Sequence, residues 1–379
     1  MSQKKIPAAF IRGGTSKGVF FHQKDLPTKR ESWDPLFLEV IGAPDPNKRQ
    51  INGMGGGISS LNKVIVVCAS NRTDADLDYT FAQVSSNQPL VDYSANCGNL
   101  SSAVAPFAID EGIIFPQDGN ALIRLYNTNT NKIIHAHVPV QNGKTVVSGD
   151  FSLQGVSGTG ARLKLDYLNP GGSGTNGLLP SGKVLDVLDV DGIGPITVSL
   201  IDATTPMVFL NAKDLRLFAN EDPTELDRDT STKDKLESIR CAGAVKMGMT
   251  DRVENTGMAS PRIGICSSPM DFVNLSGNLI SKDKQDISTR IISSGDAHRA
   301  SPLTSAMCLG TACKITGTIP NQLARPHSGE TRIANPSGVL TVEAEVFLDN
   351  NEWKVLRTSS FRTQRRLMEG AVLILEPQC

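Results

Sequence analysis

The sequence predicts an α/β (α+β) protein made of two similar units, each a shell of β-strands around one buried helix. Three observations support this prediction. Short runs rich in Val, Ile and Leu recur along the 379 residues, separated by many of the 34 glycines and 21 prolines. Clear helical segments are few, and two of them are almost wholly apolar. One of these two apolar helices lies in each half of the chain.

Length and composition restrict the class of protein. A chain of 379 residues is long enough for two domains, and 39% hydrophobic with 20% charged residues is typical of a soluble globular protein. The net charge of −1 argues against a nucleic-acid or membrane partner. The sequence shows neither a secretory signal nor an apolar run of the roughly 20 residues that span a bilayer. We therefore expect a cytoplasmic location; the sequence is compatible with a homo-oligomer.

Eight segments have the alternating or continuous apolar pattern of strands. They are KVIVVCAS (63–70), KTVVSGDFSL (144–153), ARLKLDYL (161–168), PITVSLID (195–202), PMVFLNA (206–212), RIGICSS (262–268), GVLTVEAEVFL (338–348) and AVLILEP (371–377). Their β-branched content favours a pleated sheet over a helix.

Three segments predict helices: NLSSAVAPFAIDEG (99–112), LTSAMCLGTACKI (303–315), and a long charged one at 222–248 that opens on Asp-Pro. The first two are apolar on nearly every side, which indicates burial inside a β shell. Two buried helices whose N-termini open on one cleft would bind anions. The loop-like tract 169–183 suggests domains at 1–184 and 185–354, with the tail 355–379 packing back on the first.

The stretch RGGTSKGVFF (12–21) resembles a phosphate loop only superficially. The GxxxxGK[ST] order is missing, since Lys17 follows the hydroxyl residues instead of preceding them. Two interpretations remain. It is either a glycine-rich turn or a loop whose backbone N–H groups and hydroxyls, from Thr15 or Ser16, bind a carboxylate.

Lys63 and Cys97 are the two side chains best suited to proton transfer. Lys63 begins a strand made almost entirely of Val and Ile, and enclosing its ammonium would favour the neutral amine, a competent base. Cys97 directly precedes the first apolar helix, whose N-terminus would stabilise a thiolate. The alternatives are a solvated edge lysine and a cysteine that only fills space.

The remaining histidines and cysteines show no metal-ligand spacing, so no metal and no cofactor are expected. We interpret Cys266, Cys308, Cys313 and the terminal Cys379 as packing residues. His298 and Arg299 lie just ahead of the second apolar helix, where a guanidinium would suit a substrate carboxylate.

Seven motifs, in order, resemble signatures of the 2-methylaconitate cis–trans isomerase family: RGGTSKGVFF, GGGISSLNKV, DYSANCGNL, LPSGK, HRASPLTSA, NPSGVLTV and RTQRRLMEGAV. The resemblance runs from Arg12 to Val372. It implies a diaminopimelate epimerase-like fold, with two similar domains, a central helix in each, and a substrate in the cleft between them. It also implies a role in propionate catabolism and action on unsaturated di- and tricarboxylates without cofactor or metal.

Carried over by motif, the resemblance makes Lys63 and Cys97 the catalytic residues. It implies a substrate-binding set of Arg12, Thr15, Ser16, Ser60, Gly98, Asn99, His298, Arg299, Thr304, Ser305, Ser337 and Gly338. Epimerase relatives use a second cysteine at the start of the second helix, where this chain reads Pro302-Leu303-Thr304-Ser305. That difference argues against an amino-acid racemase.

The reaction expected is proton abstraction at an allylic carbon and return of the proton, which moves or reorients a C=C bond such as that of 2-methylaconitate or aconitate. Either Lys63 or Cys97 could be the base. Keto–enol tautomerisation of 4-oxalomesaconate would use the same residues. A racemase and a non-catalytic carboxylate-binding protein are the remaining alternatives.

Overall fold

The computed structural model describes residues 3–94, 96–258, 260–293, 295–326 and 329–375. The chain divides into two compact units: unit 1 is Met1–Leu165 with Phe361–Cys379, and unit 2 is Asp166–Ser360. The loop 169–183 lies within unit 2. No helix in these described ranges has both the length and the apolar character needed to cross a membrane.

The α-helices are few and short. They are α1 Trp33–Ile41, α2 Ser101–Asp110, α3 Pro223–Arg228, α4 Thr230–Lys246, α5 Leu303–Lys314 and α6 Ile319–Leu323. The two apolar helices of the sequence are α2 and α5, found where they were predicted. Every residue of α2 except Asp110 is buried, as is α5 from Ser305 to Cys313.

Strands make up most of the fold. In the first half they are β1 Gln3–Gly13, β2 Ser16–His22, β3 Lys63–Ala69, β4 Leu77–Val84, β5 Val91–Asp92, β6 Gly119–Asn127, β7 Lys132–Gln141, β8 Lys144–Thr145, β9 Phe151–Ser152, β10 Thr159–Gly160 and β11 Leu163–Leu168. In the second half they are β12 Asp186–Val190, β13 Gly194–Asp202, β14 Pro206–Asn211, β15 Arg262–Ser267, β16 Phe272–Val273, β17 Leu279–Ile280, β18 Ile287–Ser293, β19 Asp296–Ala297, β20 Thr331–Asn335, β21 Gly338–Asp349, β22 Glu352–Arg362 and β23 Gln364–Leu375.

Unit 1 is a mixed sheet in the order β23–β1–β2–β3–β4–β6–β7–β8. The pairs β2–β3 and β4–β6 are parallel and the others antiparallel. Helix α2 contacts strands from both ends of this order, β23 and β1 as well as β7 and β8. The sheet therefore curves around α2, which explains why a helix without a polar face is stable there.

Strands β3 and β4 separate two layers of unit 1, because successive side chains point to opposite faces of a sheet. Val64, Val66 and Ala82 pack on one face in a core that includes Phe37 of α1. Lys63, as the register partner of Gln83, belongs to the opposite face. That face is directed at α2.

Unit 2 repeats the same pairing pattern in the order β12–β13–β14–β15–β18–β20–β21–β22. Here β14–β15 and β18–β20 are the parallel pairs, in the same positions as in unit 1. Helix α5 corresponds to α2: in chain order it comes between β18 and β20. It packs on β13, β14, β20 and β21. The two units are therefore structural repeats, as the sequence predicted.

Two local predictions were wrong, and one helix was missed. The long helix expected at 222–248 is two helices, because Asp229 leaves the helical conformation and caps α4 by accepting from Thr232 N at 3.0 Å. The strand expected at 144–153 is reduced to the two-residue strands β8 and β9. Helix α1 was not predicted, although its apolar residues recur at helical spacing before Gly42, which closes the helix with φ +77°.

Candidate active site

Lys63 is an almost enclosed amino group. Lys63 is the first residue of β3 and is only 8% exposed. The Nζ atom donates to Gln83 Oε1 at 2.5 Å and lies 4.9 Å from the ring centroid of Phe81. In the described part of the chain Lys63 forms no ion pair with a carboxylate. A lysine placed in this way is free to exchange a proton with a bound molecule.

Cys97 lies at the start of the turn that leads into α2. The carbonyl oxygen of Cys97 accepts from Ser101 N at 2.9 Å and from Ser101 Oγ at 3.0 Å. Asn96 is held beside it, because Asn96 Oδ1 accepts from Tyr79 Oη at 3.0 Å and from Ser101 Oγ at 3.2 Å. Tyr79 lies on the same face of β4 as Phe81 and Gln83, so Cys97 and Lys63 belong to the same side of the sheet.

The turn after Cys97 carries free hydrogen-bond donors. Within the described ranges, the N–H groups of Gly98 and Asn99 donate to no protein acceptor. Both N–H groups lie at the N-terminus of α2, where the helix dipole adds to their attraction for negative charge. Such donors are suited to stabilise an oxyanion formed near the Cys97 thiol.

The glycine-rich stretch at 12–21 packs directly on this turn. Asn99 Nδ2 donates to Thr15 Oγ1 at 3.0 Å, and Asn99 Oδ1 accepts from Arg362 Nε at 3.1 Å. A Cβ at Gly13 would lie 2.7 Å from the carbonyl oxygen of Asn99, and Gly14 has φ +53°. The glycines are therefore needed for the close approach of the loop to the turn.

The other predicted residues of unit 1 have different surroundings. The guanidinium of Arg12 donates to the carbonyls of Gly14 and Thr363 at 2.8 and 3.0 Å, and so holds the loop in shape. Ser16 is buried at the start of β2. Ser60 is half-buried in the short turn before Lys63.

Gly18 connects the surroundings of the two candidate catalytic residues. A Cβ at this position would lie 2.7 Å from the carbonyl oxygen of Lys63 and 2.8 Å from Leu100 Cδ1. The start of β3 and the turn after Cys97 therefore approach the same point of β2. We predict on this basis that Lys63 and Cys97 face one pocket.

In unit 2 the predicted residues Thr304 and Ser305 surround an arginine that the sequence analysis missed. Arg262 NH1 donates to Thr304 Oγ1 at 3.1 Å and to Ser305 Oγ at 2.9 Å. Its Nε is buried without a partner in the described part of the chain. Burial lowers the pKa of Arg262 below its ordinary value, which reflects the cost of enclosing a cation without an anion.

Arg262 begins β15 as Lys63 begins β3, and these strands occupy equivalent positions in the two repeats. The missed signal was the single charged residue at the start of the apolar run RIGICSS. Arginine stays protonated at neutral pH, so this position of unit 2 offers a permanent positive charge and hydroxyl donors.

His298, Arg299 and Ser337 lie together in unit 2 and make hydrogen bonds of their own. Ser337 Oγ donates to the carbonyl of Arg299 at 2.6 Å, and His298 Nε2 is 2.7 Å from Ser293 Oγ. Burial, followed by the charge of Arg262, lowers the pKa of His298, so its imidazole is neutral at pH 7. Gly338 follows Ser337 at the start of β21, with φ +138°.

Each unit therefore contributes a distinct chemistry. Unit 1 offers an enclosed amine, a thiol and free N–H donors, which together can move a proton and stabilise the resulting anion. Unit 2 offers a half-buried guanidinium with hydroxyls, which can bind a carboxylate. Among the described residues, no three His, Cys, Asp or Glu side chains are grouped to hold a metal ion.

Comparison with known proteins adds to this geometry. A family model described as "PrpF protein" matches residues 3–375. The chain is 38% identical to the 2-methyl-aconitate isomerase of Shewanella oneidensis, over 99% of this chain and 98% of that protein. It is also 38% identical to the 3-methylitaconate isomerase of Eubacterium barkeri, over 98% of each. The 4-oxalomesaconate tautomerase of Pseudomonas putida is 33% identical, over 99% of this chain and 97% of that protein.

Two solved structures have a similar fold. The crystal structure of a methylitaconate-delta-isomerase superposes with a TM-score of 0.91 at 37% identity, covering 99% of this chain and 96% of that one. A hydroxyproline epimerase superposes with a TM-score of 0.51 at 11% identity, covering 100% of this chain and 95% of that one. The second match concerns the fold alone. The epimerase-like fold predicted from the sequence is confirmed.

Proposed function

Because this chain belongs to the PrpF protein family, we propose that it is a cofactor-independent isomerase of unsaturated di- or tricarboxylates. It moves or reorients the C=C bond of a compound such as 2-methylaconitate or aconitate by removing and returning a proton. The relatives named isomerases support the reaction class, and the substrate class follows their names.

The observation that carries the proposal is the enclosed amino group of Lys63. A buried lysine is usually paired with a carboxylate, because an isolated charge is costly to bury. Lys63 Nζ instead has the neutral oxygen of Gln83 at 2.5 Å and the ring of Phe81. Such an amine can accept a proton from a bound substrate, or donate one to it, without first breaking an ion pair.

The proposed reaction begins at a carbon next to the C=C–COO⁻ system of the substrate. A base takes the proton of this allylic C–H bond, and the electron pair spreads over the double bond and the carboxylate. The N–H groups of Gly98 and Asn99 stabilise the charge that develops. Return of the proton at the other end of the allylic system moves the double bond. Return at the original carbon after rotation reorients it.

Lys63 and Cys97 supply the base and the acid in this reaction. Arg262, Thr304 and Ser305 bind a carboxylate of the substrate. Arg12, Thr15, Ser16 and Ser60 shape or line the site in unit 1, and His298, Arg299, Ser337 and Gly338 do so in unit 2. The assignment of base and acid depends on which face of the substrate is presented to each group.

Tautomerisation of 4-oxalomesaconate is the second candidate function. It would use the same proton transfers, and a relative with that name is 33% identical to this chain. The isomerases are 38% identical, which favours the double-bond isomerase.

The test is an assay of wild type and Lys63→Ala with 2-methylaconitate, aconitate, methylitaconate and 4-oxalomesaconate in deuterated water. We expect deuterium uptake at the allylic carbon by wild type. We expect Lys63→Ala to lose about 10²–10⁴-fold in rate, the usual contribution of a general acid or base. Lys132→Ala, at an exposed position of β7, is the matched control and should retain full activity. Full activity in Lys63→Ala would overturn the proposal, as would activity that chelation abolishes and a divalent ion restores.

A further inference from the structure

Gln83 is the polar side chain closest to Lys63, and it is a neutral one. The two residues are opposite each other in the antiparallel pair β3–β4, and Lys63 Nζ donates to Gln83 Oε1 at 2.5 Å. The side chain of Gln83 is anchored in turn. Its Nε2 donates to the carbonyl of Asn62 at 2.9 Å and to that of Ser59 at 3.1 Å.

This anchoring determines which end of the amide faces the lysine. The carbonyls of Ser59 and Asn62 accept hydrogen bonds only, so they require the NH₂ group of Gln83. A reversed amide would place its oxygen against both carbonyls and its NH₂ against the ammonium. The Oε1 atom is therefore directed at Lys63, on an amide held by the backbone that leads directly into β3.

Among the described residues, no carboxylate on the elements around Lys63 forms an ion pair with it. Asp92 of β5 lies opposite Gln83 in the pair β4–β5, where it is exposed and accepts from Ser94 N at 2.7 Å. On β2, Lys17 is directed at the ring of Phe10, 5.5 Å from its centroid. On β4, Asp78 lies opposite Cys68 in the strand register, at the end of β3 remote from Lys63. On α2, the one acidic residue is Asp110, at the end of the helix remote from Cys97.

We propose that Gln83 is a positioning residue, which holds Lys63 Nζ in one place both as an ammonium and as an amine. The inference rests on the proposed function, in which Lys63 transfers a proton. An amide oxygen accepts a hydrogen bond from either form. A carboxylate in its place would hold the ammonium far more strongly than the amine and would oppose release of the proton.

The experiment compares Gln83→Glu and Gln83→Met with wild type, by pH–rate profile and by thermal melting. In Gln83→Glu we expect the limb of the profile that Lys63 controls to move about 1–3 units to higher pH, the usual effect of an adjacent opposite charge. In Gln83→Met, which has similar size but no acceptor oxygen, we expect kcat to fall roughly 10–100-fold with little change in KM, since Nζ loses its fixed position.

Gln141→Glu is the matched control, because Gln141 lies opposite Lys144 in the pair β7–β8 as Gln83 lies opposite Lys63. It should leave the profile and kcat unchanged. An unmoved profile in Gln83→Glu, with Lys63→Ala inactive, would overturn the role of Gln83 and leave the proposed function intact. Activity in Lys63→Ala would overturn both. Lower melting temperatures with unaltered profiles in both Gln83 variants would show a merely structural role.

Discussion

The cysteines of this chain differ in how far burial suppresses their thiolates. Burial raises the pKa of Cys68 to about 11 and that of Cys266 to about 12, and it raises the pKa of Cys308 as well. Cys266 and Cys308 are fully buried, as expected for packing residues. Cys379 lies outside the described residues. Since the thiolate is the reactive form, these thiols should resist alkylation.

We predict that alkylation of Cys97 inactivates the enzyme. Cys97 lies beside the N–H groups of Gly98 and Asn99, which donate to no protein acceptor in the described ranges and can bind a substrate carboxylate there. Peptide mapping after treatment with iodoacetamide should show loss of activity in parallel with modification of Cys97, and aconitate should slow both. The same treatment of Cys97→Ser, with Cys68→Ser as the control, shows which of the two thiols must be modified for activity to be lost. Inactivation that follows Cys308 instead would contradict the prediction.

A second residue-scale prediction concerns Arg262. Removing its guanidinium leaves Thr304 and Ser305 without the cation that they contact. Hydrogen bonds to charged groups contribute about 1.5–3 kcal/mol, so Arg262→Met should raise KM or the inhibition constant of aconitate by roughly 10–100-fold. Removing a half-buried cation that no carboxylate of the described residues pairs with should not lower the melting temperature of the ligand-free protein. Arg72→Met, at an exposed ion pair, is the control. Unchanged aconitate affinity would exclude Arg262 from carboxylate binding.

At the scale of elements, β2 depends on a glycine for its close approach to the start of β3 and to Leu100, which directly precedes α2. In Gly18→Ala, the added carbon would lie 2.7 Å from a backbone oxygen of Lys63, so the start of β3 or the turn at Leu100 must shift. We expect a loss of about 1–3 kcal/mol of unfolding free energy, typical of overpacking, together with lower activity.

The control for that substitution is Gly177→Ala, where an added Cβ meets nothing within 4 Å and the backbone is not left-handed. Denaturant unfolding and activity measured on both variants give the comparison. Equal stability and activity in the two variants would show that the start of β3 and the turn at Leu100 can move away from β2 without cost.

Which elements could be predicted depended on the strength of their local pattern. The strands β3, β13, β14, β15 and β21 were predicted because their apolar runs are rich in β-branched residues, and α2 and α5 because they are almost wholly apolar. The long strands β1, β6, β7 and β22 were not predicted. Helix α1 was missed because its length is nine residues, close to that of a strand. The break at Asp229 was missed because a capping residue inside a polar helix leaves the overall pattern unchanged.

At the scale of the whole molecule, the C-terminal strand β23 completes unit 1. It pairs with β1 from Gln3↔Leu375 to Gly13↔Gln364 and also contacts α2. We predict that a chain ending at Thr363 loses activity and aggregates, because β1 becomes a long unpaired edge, although Lys63 and Cys97 are retained.

A chain ending at Leu375 keeps β23 and serves as the control. Circular dichroism, size-exclusion chromatography and the isomerase assay on both truncated chains test the prediction. A soluble, active chain ending at Thr363 would show that β23 is dispensable for the site.

The sequence by itself determined the repeated α/β pattern, the two apolar helices, the family, and the candidate pair Lys63 and Cys97. These depend on periodicity and on short motifs, which are local properties of the chain. It could not reveal Gln83 as the partner of Lys63, because that contact depends on the register of β3 and β4.

The role of Arg262 was likewise decided by the tertiary structure alone. Its neighbours Thr304 and Ser305 are about forty residues further along the chain and come to it only through the packing of α5 against the sheet. The partial burial of the Arg262 guanidinium depends on the folded surroundings. The strand pattern of the sequence shows only that a charged residue begins β15. Local free energies specify the elements of this protein, whereas the environment of each polar group depends on which elements pack together.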